Sequence, residues 1–225
     1  MITLRKAIGC SLALALLVAP VAGSAQFGGI GRMARGLAEG GGSVSNRDGE
    51  AFLSDATRST KNIMISASLL AQLLTDRDGL AGKKAEVDSL QRIENVGEFE
   101  AHRSSFASNI EAINNRTNLA ADLSAINAEA SEEQRRVLAM ALGNLAIGIF
   151  RNVQLSAQAP GMVSGISSNP SLITRIGDFR LAAELLGLQA TGLGGIAGSL
   201  PELFRAAHVE MPDAAGTTEP QAIIL

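Results

Sequence analysis

The residues from Val137 to Phe150 constrain this chain more than any others: fourteen positions in which Asn144 is the only strongly polar one. Ser131 precedes them with Gln134 three residues on, a capping box, and Glu132 and Glu133 lie where a helix dipole favours negative charge. A helix that is apolar on every side has no face to give to water, so other helices or lipid must wrap it. A bilayer span takes roughly 20 apolar residues. This run is shorter and is flanked closely by Arg135, Arg136 and Arg151, which favours burial at the centre of a bundle.

The rest of the chain supplies the wrapping helices. From about Asp48, which can cap the start, Phe52, Ala56, Ile63, Ala67, Leu70 and Leu74 recur at multiples of three and four and share one face; Asp76, Asp78 and Gly79 break the pattern. A second stretch, from about Leu80 to Glu94, turns Val87, Leu90 and Ile93 inward and Lys83, Lys84, Glu86 and Asp88 outward. Asn95 and Glu98 form a capping pair for a helix expected to reach about Ala130. Its two apolar stripes, Phe99 to Ile113 and Leu119 to Ile126, are out of phase across Asn114–Asn118, and one bent helix is the expectation. Pro160-Gly161 is expected to end the central helix, with a linker through Ser164, Gly165, Ser167 and Ser168. Asn169-Pro170 then reads as a cap followed by a first-turn proline, opening a last helical region from Ser171 to about Val209 with a kink or break at Pro201. No run of alternating β-branched residues with hairpin turns interrupts this pattern. The expected fold is all-α, a helical bundle of about four to six helices over residues 48–209.

The two ends differ from this body. Residues 1–25 combine Arg5 and Lys6, an apolar run from Ala7 to Val18, Pro20 and the small pair Gly23-x-Ala25, the pattern of a secretory signal peptide cleaved near Ala25. Residues 26–47 form a Gly-rich arm, expected to be flexible because such a segment loses much backbone entropy on ordering. The only cysteine, Cys10, lies inside the signal segment, so the exported chain is expected to hold no disulfide or thiolate site. A flexible tail is expected over 210–225, closing on the apolar residues Ala222, Ile223, Ile224 and Leu225.

Several chemistries lack their residues. Losing the signal segment lowers the basic count from 19 to 17 against 22 acids, a net charge of −5, and no Lys/Arg run stands out, so nucleic acid is not an expected partner. The chain has no Trp or Tyr, the platforms that hold sugars and stack bases, so carbohydrate is not expected either. Histidine occurs twice, as His102 and His208, in no catalytic spacing. Glu98 and His102 stand four apart, but a di-metal bundle needs paired Glu-x-x-His at a spacing of three. Gly161-Met162-Val163-Ser164-Gly165 misses the Gly-x-Ser-x-Gly elbow, and Arg77 replaces the first glycine of a phosphate loop before Gly82-Lys83. No cofactor, metal or catalytic residue is expected.

One positive feature stands out. Ala183, Gly187, Thr191, Gly195 and Ser199 recur every four residues, with Ala190, Gly194 and Gly198 as a parallel series, and residues 185–200 carry no charge. If helical, this spacing makes a smooth stripe for close helix packing or for a membrane. Glycine costs a helix up to about 1 kcal/mol per residue, so a Gly-rich loop between two shorter helices is the competing expectation. The reading reached is an exported, non-enzymatic helical protein, a structural or interaction component of the bacterial cell envelope whose partner is another protein, either itself or an envelope component. Its rivals are a membrane-active protein inserting 137–150 and 185–200, and a carrier of apolar small molecules. Separately, Ile223, Ile224 and Leu225 make an apolar C-terminal stretch of the form that peptide grooves bind.

Overall fold

Ser45 starts the first helix by accepting a hydrogen bond from the Asp48 backbone N–H at 3.2 Å, so the cap lies three residues before the expected Asp48. The computed structural model describes residues 44–212, 220–223 and 225; the expected signal segment and the Gly-rich arm up to residue 43 lie outside the described residues. Among the described residues six α-helices follow in order: α1 (Asn46–Thr75), α2 (Lys84–Gln91), α3 (Arg103–Asn114), α4 (Leu119–Glu129), α5 (Glu132–Ile166) and α6 (Ile176–Ala206). Short 3-10 segments precede α2, α3 and α6, and among the described residues there is no strand. The fold is the expected all-α bundle.

The helix α5 is its axis. The capping box at Ser131 and Gln134 forms as expected. Val137, Leu138, Ala141, Leu142, Leu145 and Ala146 are all fully buried against the long helices α1 and α6, the two that α5 packs on most extensively. The expected inward residues of α1, from Phe52 to Leu74, are buried, as are Val87, Leu90 and Ile93.

Beyond α2, which is α-helical over Lys84–Gln91 after the 3-10 turn Asp78–Lys83 rather than from Leu80 to Glu94, three further boundaries differ from the sequence expectation. Residues 95–130 form the 3-10 segment Val96–His102, which the Asn95 side chain does not cap, and then two α-helices rather than one bent helix, because the chain turns at Asn115–Asn118 and the Asn118 side chain caps α4 through the Ala121 N–H. The out-of-phase stripes record that turn: Phe106, Ile110 and Ile113 are buried on one helix, Leu123 and Ile126 on the next. Second, Pro160 lies inside α5, which runs on to Ile166, so the expected linker from Ser164 is helical up to that point. Proline in a helix interior costs about 3 kcal/mol. Here Leu155, Ala159, Met162 and Ile166 continue the buried face across it, and their burial offsets the lost backbone bond. Third, the last α-helix begins at Ile176, after the 3-10 turn Ile173–Arg175, and continues through Pro201 to Ala206.

Two tight contacts set the spacing of the long helices. At Gly148 an added Cβ would meet Ile63 Cγ1 at 2.6 Å, so Ile63 of α1 fills the space this glycine leaves on α5. Ser59 Oγ donates to the Gly148 carbonyl at 3.1 Å beside it. Nearer the start of α6, Phe52 and Phe179 stack with centroids 6.0 Å apart, and Arg175 bridges Glu50 of α1 and Asp178.

Glu86 joins α2 to α3 through Ser105 at 2.9 Å and pairs with Lys83 at 2.8 Å. Burial pushes its carboxyl up, but the hydrogen bonds from Lys83 and Ser105, together with the lysine charge, outweigh burial and hold it below the ordinary value of 4.5. A depressed folded-state value contributes stability above the unfolded value, lost as pH falls through the folded one. Glu86→Gln therefore flattens the acid side of the stability profile in urea titrations, whereas an unchanged profile would show that Glu86 carries none of it. Gly148→Ala lowers stability by about 1–3 kcal/mol through overpacking. Adding Ile63→Ala recovers part of that loss in a double-mutant cycle, since the clash is with that side chain.

Candidate functional site

The helix α6 persists through its glycines because its inner face is continuous: Phe179, Ala182, Leu185, Leu186, Gln189, Leu193, Ile196, Leu200, Leu203 and Phe204 are buried at helical spacing. The expected choice between a Gly-rich loop and a helix falls to the helix. Inside it, Gln189 is fully buried and donates to Thr60 Oγ1 of α1 at 2.9 Å, while Asn152 Nδ2 of α5 donates to Gln189 Oε1 at 2.9 Å and to the Leu186 carbonyl at 3.1 Å. These bonds fix the rotation of α6 about its axis. They decide which residues face outward.

What faces outward is the stripe of small residues. Gly187, Ala190, Thr191, Gly194, Gly195 and Gly198 are exposed, and Ala183 and Ser199 are half-buried at its margin. A Cβ added at Gly187, Gly194, Gly195 or Gly198 would have no atom within 4 Å. Close packing of this stripe inside the bundle is therefore corrected: the close approach on α6 is at Gly192, where an added Cβ would lie 3.0 Å from Ile110 of α3. The Thr191 and Ser199 hydroxyls donate back to the Gly187 and Gly195 carbonyls, each at 3.0 Å, so neither projects an unsatisfied polar group from the stripe.

Beside the stripe runs a groove of about 600 Å³ between α3 and α6, lined mainly by apolar atoms of Phe106, Ala107, Ile110, Leu185 and Leu188. Leu188 is 43% exposed, one of few large apolar side chains in that state, and Thr191 belongs to both the groove and the stripe. Asn114 Nδ2 donates to the Gly192 carbonyl at 2.9 Å and ties the two helices at one end. At the other, Arg103 is held by Glu184 and Glu100, whose carboxylates raise its guanidinium above the usual range. The result is one apolar channel with a smooth helical bank and a charged end. It offers shape and apolar area to a ligand.

The titratable residues weighed from the sequence, Glu98 and His102, have different neighbours. Glu98 accepts from Asn95, and His102 Nε2 stands 3.5 Å from Ser89 Oγ. Both belong to the 3-10 segment Val96–His102, whose rotation per residue takes a spacing of four off a common face. Among the described residues, no three His, Cys, Asp or Glu side chains gather as metal ligands would. Of the apolar tail, Ile223 is buried and Leu225 partly buried against the chain's own bundle, and Ile224 lies outside the described residues. The groove between α3 and α6 was not legible in sequence: Phe106 and Ile110 lie on an apolar stripe, Leu188 falls unmarked within the uncharged stretch 185–200, and whether they line an open channel depends on how far the two helices stand apart.

Comparison of the chain with protein-family models, with curated proteins and with solved structures finds no match.

Alanine at Gly194, Gly195 or Gly198 enters open space and removes the helix penalty of glycine. Each is expected to raise stability by about 0.5–1 kcal/mol, read as a higher urea midpoint. A fall in stability would show that the outer face of α6 is packed in solution.

Proposed function

We propose that this chain is an exported, non-enzymatic component of the bacterial cell envelope that binds another protein through the outer face of α6 and the groove beside it. The observation that carries the reading is the set of glycines with nothing above them. Within the chain they weaken a helix and fill no contact. A helix of a partner protein laid along Gly187, Gly194 and Gly198 would approach the α6 backbone closely and give those positions a packing role. Leu188, Phe106 and Ile110 would supply the apolar anchor that a helix in a groove needs. Export is supported by the N-terminal pattern of Arg5, Lys6, the apolar run and Gly23-x-Ala25.

The apolar character of the channel between α3 and α6 also supports a carrier of small apolar molecules as a second reading. Membrane insertion draws on the length and apolarity of α5. Against it, 61% of that helix's most apolar window is buried within the bundle, and the apolar residues among 185–200 point mainly inward.

Because Cys10 is the only cysteine, a single new thiol reports on one place. With Gly194→Cys, a short thiol-reactive crosslinker in intact cells should give one discrete adduct, either a dimer or a complex with one envelope protein. The exposed Glu133→Cys on α5 should give none. Adducts of equal yield from both positions, or none from Gly194→Cys, would overturn the protein-binding reading, and apolar material co-purifying with the chain in their place would favour the carrier.

A further inference from the structure

Asn144, the lone polar residue of the most apolar run, is 4% exposed, and both ends of its amide engage the backbone of one residue. The Gln221 N–H donates to Asn144 Oδ1 at 2.8 Å, and Asn144 Nδ2 donates to the Gln221 carbonyl at 2.7 Å. Such a reciprocal pair reads an extended backbone as a neighbouring strand would, whatever the side chain. Two residues on, Gln91 Nε2 of α2 donates to the Ile223 carbonyl at 2.9 Å, and the Ile223 side chain is 5% exposed. Two further, Lys84 Nζ donates to the Leu225 backbone oxygen at 3.1 Å. Contacts at every second residue are the period of an extended chain. They set its direction and register, and the covered Ile223 sets a preference for an aliphatic side chain.

The segment does not fill its groove. A cavity of about 530 Å³ lies beside it, lined by Arg58, Lys61, Asn62 and Arg151 as well as by Gln221 and Ile223. The Asn62 Nδ2 atom is buried there with no partner among the described residues. A buried donor without an acceptor is costly, and with cations around it the site suits a ligand that brings a carboxylate.

We infer that the groove between α1, α2 and α5 is a binding site for an extended peptide of a partner protein, one bearing a carboxylate and an aliphatic residue two positions after the residue paired with Asn144. The segment carrying Gln221, Ile223 and Leu225 is its tethered occupant, and a partner's peptide must displace it. Tethering sets a local concentration on the order of millimolar, so an outside peptide of equal chemistry competes poorly until the segment is released.

The test uses the full chain and a fluorescent peptide with the sequence of residues 219–225, which includes Glu219. Anisotropy should show the probe binding the Ile223→Asp chain at least about tenfold more tightly than the wild-type chain, whose own segment competes. The same peptide carrying Ile223→Asp should not bind. Asn144→Leu added to the Ile223→Asp chain should abolish binding, and Gln91→Leu, at an exposed position where folding is not at stake, should weaken it several-fold. A probe that binds neither chain, or binds the Gln91→Leu and Asn144→Leu chains as tightly as their parent, overturns the inference. Should Asn144→Leu fail to fold, the Gln91→Leu comparison decides.

Discussion

The contact between α1 and α5 at Gly148 is the one on which the other packing depends. Without a Cβ there, Ile63 drops into the surface of α5 and Ser59 reaches the Gly148 carbonyl, so the two longest buried faces meet at a fixed depth. A side chain at that position would hold the helices apart, and voids along a buried interface forfeit dispersion as well as hydrophobic contact. Once α1 and α5 are locked, α6 packs against both and α3 lies across α1 and α6.

Apolar burial drives this assembly but does not by itself choose how a helix is rotated. The network of Thr60, Gln189, Asn152 and the Leu186 carbonyl does that for α6. Buried amides must be paired, and a turn of α6 by one residue would take the partners from Gln189 and from Asn152 Nδ2 at a cost of about 1–3 kcal/mol for each. The small-residue stripe faces outward because of polar groups on the opposite side of the same helix. In this sense the core specifies the surface.

A second buried amide has a different use. Asn144 is paired with backbone rather than with another helix, and the backbone it holds belongs to a segment that is distant in sequence. The amides of Asn152 and Asn144 thus lie on one helix, and what separates them is the kind of partner each holds. Gln189 is carried on a packed helix. Gln221 lies on a segment held at few points.

The sequence by itself determined the all-α class, the central position of residues 137–150, the capping box at Ser131 and the inward residues of α1. These follow from local rules: the period of a helix, the hydrogen-bonding needs of its first turn, and the exclusion of a uniformly apolar helix from water. The out-of-phase stripes on either side of Asn114–Asn118 carried the break between α3 and α4, although one bent helix satisfied the same pattern. Tertiary structure alone decided that α5 runs through Pro160 and α6 through its glycines, because burial of Met162 and Ile166, or of Leu193 and Ile196, outweighs a local penalty that propensity cannot weigh against it. It also decided which side of α6 is bare, and that Asn144 meets Gln221. Both depend on residues far apart in the chain being brought to one place, and neither local periodicity nor composition holds that information.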